Sequence, residues 1–212
     1  MDRRIFIRNT GLAAVLSGFA PSFAMKDIFP VQRKKIHFIL RAVGYSDALH
    51  AFSKYNAPLK GTFSFKKVEC NNAAYSHEKG LNDLMNGKNK EVLFTQQMDR
   101  HSIGDVVKDA FSSDQPEVYI HMHHTEVGHS SEPEFHTNLD AFFKEVTKGY
   151  DANKHTLIIT ADIGRNNYKN SCGGRDHSTT SSLETFALYI GKDLAEKSLN
   201  YGTLQQENVF SV

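Results

Sequence analysis

Leu157-Ile158-Ile159-Thr160-Ala161-Asp162-Ile163-Gly164-Arg165 decides how the rest of the chain is read. A run this apolar, Thr156 to Thr160 at its core, reads as a strand buried on both faces. Such strands belong to parallel sheets covered by helices. The run ends abruptly in a carboxylate and a guanidinium, which suits a strand whose carboxyl end opens on a site.

Working outward, the same grammar repeats. Ile36 to Leu40 is apolar and is followed by Arg41. Glu117 to Met122 is strand-like and leads into His123, His124, Glu126 and His129. Between these strands lie segments with helical spacing. They are Asp47 to Tyr55 with Ser46 as N-cap, Ser76 to Met85 stopped by Asn86-Gly87, Ser102 to Phe111, and Thr137 to Tyr150 with Leu139, Phe142, Phe143 and Val146 inward. Thr62 to Cys70 alternates as a partly exposed strand, Val92 to Phe94 is a short strand, and Ser182 to Ile190 fits helix or strand equally. Alternating strands and helices predict an α/β three-layer sandwich, a mostly parallel central sheet with helices on both faces. Ligands of such sheets sit beyond the carboxyl ends of the strands.

The N-terminus predicts a compartment. Arg3-Arg4-Ile5-Phe6-Ile7-Arg8 precedes a short apolar run, Gly11 to Phe19, which ends in Ser22-Phe23-Ala24. This order looks like a twin-arginine export signal over residues 1–24, leaving 25–212 as one α/β domain in the periplasm or outside the cell. No later run is long enough for a membrane span. The formal net charge is +1, and the signal carries three arginines against one aspartate, so the remainder is one unit negative. A near-neutral chain without a long basic run argues against nucleic acid as a partner. Cys70 and Cys172 are the two cysteines; a pair this far apart makes no disulfide framework, and two separate buried thiols is the preferred reading over a bridge.

Histidine carries the chemical signal. Five of the 11 histidines, His121, His123, His124, His129 and His136, fall within sixteen residues. Neutral imidazole ligates metals and moves protons near neutral pH, and His121 and His123 share one face of a strand. A single histidine is more often structural; a cluster at one strand end is harder to explain that way. The second signal is Cys172-Gly173-Gly174-Arg175-Asp176-His177. Its glycines permit close backbone approach, Arg175 offers a fork for an oxyanion, and Asp176 suits orienting His177 or binding metal. The alternative is a surface loop with an Arg–Asp pair.

Together these segments resemble the alkaline phosphatase and sulfatase superfamily, and within it the secreted sulfatase-like branch with twin-arginine signals. The resemblance rests on Leu157 to Arg165 followed by Gly173 to His177, on Val127-Gly128-His129, and on the helix ending Leu84-Met85-Asn86-Gly87. It implies hydrolysis of phosphate or sulfate esters with metal ions beside a nucleophile. It places the nucleophile position on or beside His77, with Ser76 next to it as the possible nucleophile, Arg175 on the oxyanion, and His124, Glu126, His129, Asp162, Asp176 and His177 as the candidate metal donors. Arg41, Thr125 and Ile163 depart from the family's ligands. The expectation is therefore a reduced centre: one divalent metal, zinc foremost, held by His129, His177 and one of His124 or Glu126, or no metal at all. Arg165 and Arg41 are further candidates to hold the oxyanion. The partner expected is a small anionic ester or glycan. The alternative is an inactive relative that binds such a ligand at the cell surface or in the periplasm.

Overall fold

The computed structural model describes residues 33–70, 77–85, 93–94, 102–124, 131–165 and 183–212. The expected signal at 1–24 lies outside them. The strands are β1 (Lys34–Leu40), β2 (Phe63–Glu69), β3 (Leu93–Phe94), β4 (Glu117–Met122), β5 (His155–Ala161), β6 (Glu184–Ile190) and β7 (Leu204–Gln205). The helices are α1 (Tyr45–Ser53), α2 (His77–Leu84), α3 (Ile103–Ser112), α4 (Glu132–Gly149) and α5 (Lys192–Ser198).

All seven strands form one sheet, in the order β3-β4-β1-β5-β6-β2-β7. Its centre is parallel: β1 pairs with β4 on one side and β5 on the other, and β3 extends this set beside β4. β6 runs against its neighbours β5 and β2. The mostly parallel α/β sandwich expected from the alternation is thus present.

Residue parity sorts the two layers, because successive side chains of a strand face opposite ways. Ile36, Phe38, Leu40, Val118, Ile120, Leu157 and Ile159 pack with the apolar stripes of α1, α3 and α4. Ile39, Tyr119, Ile158 and Tyr189 face the other layer, with Leu81 and Leu84 of α2, Leu194 of α5, and Val209 and Phe210. Most of these side chains are fully buried. The central strands are therefore sealed on both faces, and only their ends can offer chemistry to solvent.

Several boundaries differ from the sequence reading. Helix α1 begins at Tyr45, so Ser46 lies inside it; Gly44 occupies the N-cap without a side-chain bond. Helix α4 begins five residues before Thr137. The Ser131 hydroxyl caps it by accepting from the Glu134 amide, and Pro133 occupies its first turn, a start signal that amphipathic spacing alone overlooks. Helix α3 behaves as expected: Ser102 and Asp105 form a reciprocal capping box. The segment ambiguous between helix and strand resolves as β6, whose register against β2 and β5 consumes its backbone groups. The chain after Tyr201 adds β7 to the sheet edge and a 3-10 turn, Gln206–Ser211, that buries Gln206, Val209 and Phe210.

Candidate functional site at the carboxyl ends of the central strands

Strands β4, β1 and β5 lie side by side and parallel, so their carboxyl ends open together. The register sets Ile39 opposite both His121 and Thr160. Continuing it by two residues aligns Arg41, His123 and Asp162, and parity puts all three on the same face as Ile39, Tyr119 and Ile158. Three segments distant in sequence thus deliver a guanidinium, imidazoles and a carboxylate to one place.

Asp162 is fully buried, and each carboxylate oxygen has a donor. Oδ1 accepts from the Ala42 amide at 2.9 Å and from the Ile163 amide at 2.7 Å. Oδ2 lies 2.9 Å from Nε2 of His121, itself only 4% exposed. The backbone at Ala42 is left-handed, with φ 49, a conformation costly for a residue with a Cβ. The hydrogen bond from its amide to Asp162 helps hold that turn.

Beside this pair, Nη1 of Arg41 lies 2.9 Å from Nδ1 of His123. The rings of His121 and His123 are 4.6 Å apart. His124 follows in sequence, and its carbonyl accepts from Nδ2 of Asn138 at 2.8 Å, tying the end of β4 to α4.

The structure brings α2 to the same strand end. A Cβ added at Gly80 would stand 2.0 Å from the Asp162 carbonyl oxygen, so glycine permits the contact. Nε2 of Gln206 donates to the carbonyls of both Gly80 and Asp162. The first residue of α2, His77, is one helical turn before Gly80, about 4.5 Å along the axis. The helix expected to carry the nucleophile is therefore anchored at Asp162.

Other expectations are redirected. Arg165, a candidate for the oxyanion, is 6% exposed. Its guanidinium carbon lies 3.2 Å from the centre of the Phe135 ring, and its Nη2 is 3.4 Å from Oε2 of Glu132, so it packs on the first turns of α4. His136 pairs with Glu132 on the exposed side of that helix. Cys70 is a free, buried thiol. Burial pushes it up to about 12, against the Gly164 backbone hydrogen bond that pulls it down. Ser76, Glu126, His129, Cys172, Arg175, Asp176 and His177 lie outside the described residues.

The sequence reading singled out neither His37 nor Ala42. His37 stacks on Tyr119 with ring centres 3.9 Å apart, and its Nε2 meets Glu117 at 2.9 Å, at the amino half of the strands. Its alternation with apolar neighbours carried the signal of a buried face.

A ligating carboxylate or imidazole must turn a lone pair to the ion. Both oxygens of Asp162 already accept hydrogen bonds, and His123 accepts from Arg41 through Nδ1. Among the described residues, no group of three or more His, Cys, Asp or Glu side chains is arranged to hold a metal ion.

No protein family matches the chain, and no curated protein matches it in sequence. Solved structures do. The C-terminal periplasmic domain of EcEptC from Escherichia coli, in complex with Zn, aligns with a TM-score of 0.53 and 11% identity over 84% of this chain and 80% of that one. The chain has the fold of that domain. A second structure of the EcEptC domain gives a TM-score of 0.51 and 10% identity over 84% and 79% of the two chains. A protein in the alkaline phosphatase superfamily from Vibrio parahaemolyticus aligns at a TM-score of 0.46 and 10% identity, over 84% of this chain and 66% of that one. Among the described residues, no helix is long and apolar enough to cross a membrane.

Proposed function

We propose that the chain is an exported, alkaline-phosphatase-like hydrolase of phosphate or sulfate esters with a reduced centre of at most one metal. The observation that carries this reading is the convergence of Arg41, His121, His123 and Asp162 at the carboxyl ends of three adjacent parallel strands. This is where α/β folds bind ligands. The fold likeness to the EcEptC periplasmic domain supports the same compartment, reached through a twin-arginine signal at 1–24.

In this reading His129 and His177, with His124 or Glu126, hold the single ion, and Asp176 orients His177. When bound, a metal of this kind supplies positive charge to the ester oxygens and lowers the pKa of a bound water. Ser76, which precedes α2 in the sequence, attacks the phosphorus or sulfur while the ester bond breaks; the alcohol leaves with the proton that His77 takes from the serine, Arg175 holds the oxyanion, and water then releases the anion from the serine. The anchoring of α2 on Asp162 fixes that helix relative to the strand ends. The substrate class is a small anionic ester or glycan.

The test is elemental analysis of the purified chain together with turnover of phosphate and sulfate esters. One zinc per chain, with turnover lost in His129→Ala and Ser76→Ala, is the expected result. No metal and no turnover for any ester would reject the enzyme and leave the second reading, a non-catalytic binding protein. That second reading is favoured by one observation: both carboxylate oxygens of Asp162 accept hydrogen bonds from the protein.

A further inference from the structure

Gln206 belongs to the last stretch of the chain, yet its side chain is fully buried at the carboxyl end of β5. The carbonyl oxygens of Gly80 and Asp162 converge on one end of its amide, the first at 3.2 Å. Carbonyls only accept, so that end is the NH2 group, with one hydrogen for each oxygen. The other end, Oε1, is buried with no hydrogen-bond partner among the described residues. A buried acceptor left this way costs stability, so the described contacts bury this side chain for its donor end.

The turn that carries Gln206 is tied to the sheet on both sides of it. Before it, Leu204 and Gln205 pair with Val68 and Glu69 of β2. After it, the Val209 carbonyl accepts from the Tyr189 hydroxyl of β6 at 2.9 Å. The Phe210 ring then meets His37 of β1 and Tyr119 of β4 edge-on. Helix α2 is eight residues long, short of the length at which a helix holds itself in water. It reaches the sheet through Leu81 and Leu84 and through the close approach of Gly80, a residue with no side chain to lock the helix in place.

We infer that Gln206 is a positioning residue: its amide pins α2 to the end of β5, so the C-terminal turn sets where the start of that helix stands relative to the strand ends. His77, the first residue of α2, is one turn before Gly80, so a tilt at Gly80 is carried to the nucleophile proposed there. A misplacement of about 1 Å at an attacking atom costs about a hundredfold in rate. Gln206 is buried away from substrate, so its loss should act on kcat and spare KM. The effect on turnover rests on the ester-hydrolase reading; the pin rests on the geometry alone.

The experiment measures hydrogen exchange by mass spectrometry on the full chain, together with turnover of p-nitrophenyl phosphate and p-nitrophenyl sulfate. In the original chain, residues 79–85 and 204–212 should exchange as one unit, at rates within about threefold of each other. In Gln206→Met, which keeps the volume and removes the donor, exchange over 79–85 should rise at least about tenfold while β1 and β5 stay unchanged. For whichever ester is turned over, kcat should fall at least about tenfold with KM within about twofold. The inference is overturned if α2 exchanges much faster than the C-terminal turn in the original chain, or if Gln206→Met leaves α2 exchange unchanged. It is equally overturned if β1 and β5 loosen as much as α2, which would mark an ordinary loss of stability, or if kcat holds while α2 loosens. An original chain that turns over neither ester would reject the hydrolase; the exchange rates would then decide the pin by themselves.

Discussion

Gly80 of α2 packs its Cα against the main-chain carbonyl of Asp162, leaving room for no larger residue: a Cβ there would lie 2.0 Å from the oxygen and 2.9 Å from Cγ2 of Ile163. The obstacle is backbone at the end of a buried strand and cannot swing aside. Gly80→Ala should therefore push α2 off the sheet despite alanine's better helix propensity. Overpacking of this kind costs about 1–3 kcal/mol or more, set against a propensity gain of about 1 kcal/mol. Denaturant unfolding of Gly80→Ala checks it; an unchanged or raised midpoint would show that α2 does not dock there.

Cys70 should be inert in the folded chain. Its thiol is buried and pushed up to about 12, mainly by loss of solvation, so little thiolate exists at neutral pH. In a Cys172→Ser background, alkylation by iodoacetamide near about pH 8 should run roughly a thousandfold slower than for an ordinary exposed cysteine. Full reactivity should return on unfolding. Mass spectrometry at timed intervals measures this; rapid native labelling would contradict the packing of β2 against the strand ends.

The sheet was legible because buried strands write themselves plainly. Ile36 to Leu40 and Thr156 to Thr160 are short, apolar and ended by charge, and their expected bounds fall within β1 and β5. Glu117 to Met122 matches β4. Boundaries set by capping were less legible, since the Ser131 cap and Pro133 start α4 before its apolar stripe begins. The burial of Gln206 depends on partners far along the chain, Gly80 and Asp162, which no local pattern encodes. At the site, the sequence picked out His121, His123, Arg41 and Asp162 as strand-end residues. It could not reveal that Asp162 would accept from His121, because that depends on which neighbours β1 acquires. For Arg165 the decisive fact is the Phe135 ring, thirty residues earlier in the chain.

His155 should make the fold acid-sensitive. Its pKa is lowered, first by burial and then by the nearby Lys34 charge, with Lys154 acting the same way and Asp151 opposing. Its Nδ1 accepts from the Asp151 amide, and Phe111 packs on the ring, so the folded chain favours the neutral imidazole. Above the unfolded value of about 6.5 both states are neutral and the full stability is present. As pH falls below it, the unfolded chain takes up a proton that the folded chain resists, and stability is lost through the lower, folded value. His155→Gln should show a shallower fall in Tm between about pH 7.5 and about pH 5.5 than the original chain. Identical slopes would remove His155 from the acid response.

Arg165 and Phe135 separate a structural arginine from a ligand-binding one. With its guanidinium 3.2 Å from the ring centre and the whole side chain 6% exposed, Arg165 gains a cation–π contact worth about 2 kcal/mol when desolvated. It also meets Glu132 in the first turn of α4. Phe135 is fully buried against the sheet. Arg165→Met keeps much of the packing volume and removes the charge, so it should lower stability by about 1–3 kcal/mol while leaving phosphate or sulfate affinity within about twofold of the original. Phe135→Leu should destabilise to a similar degree for the same reason, since it removes the ring and keeps a buried aliphatic group. Calorimetric titration and urea unfolding on each variant decide the matter. An anion affinity that collapses in Arg165→Met with the fold intact would place the oxyanion beside α4.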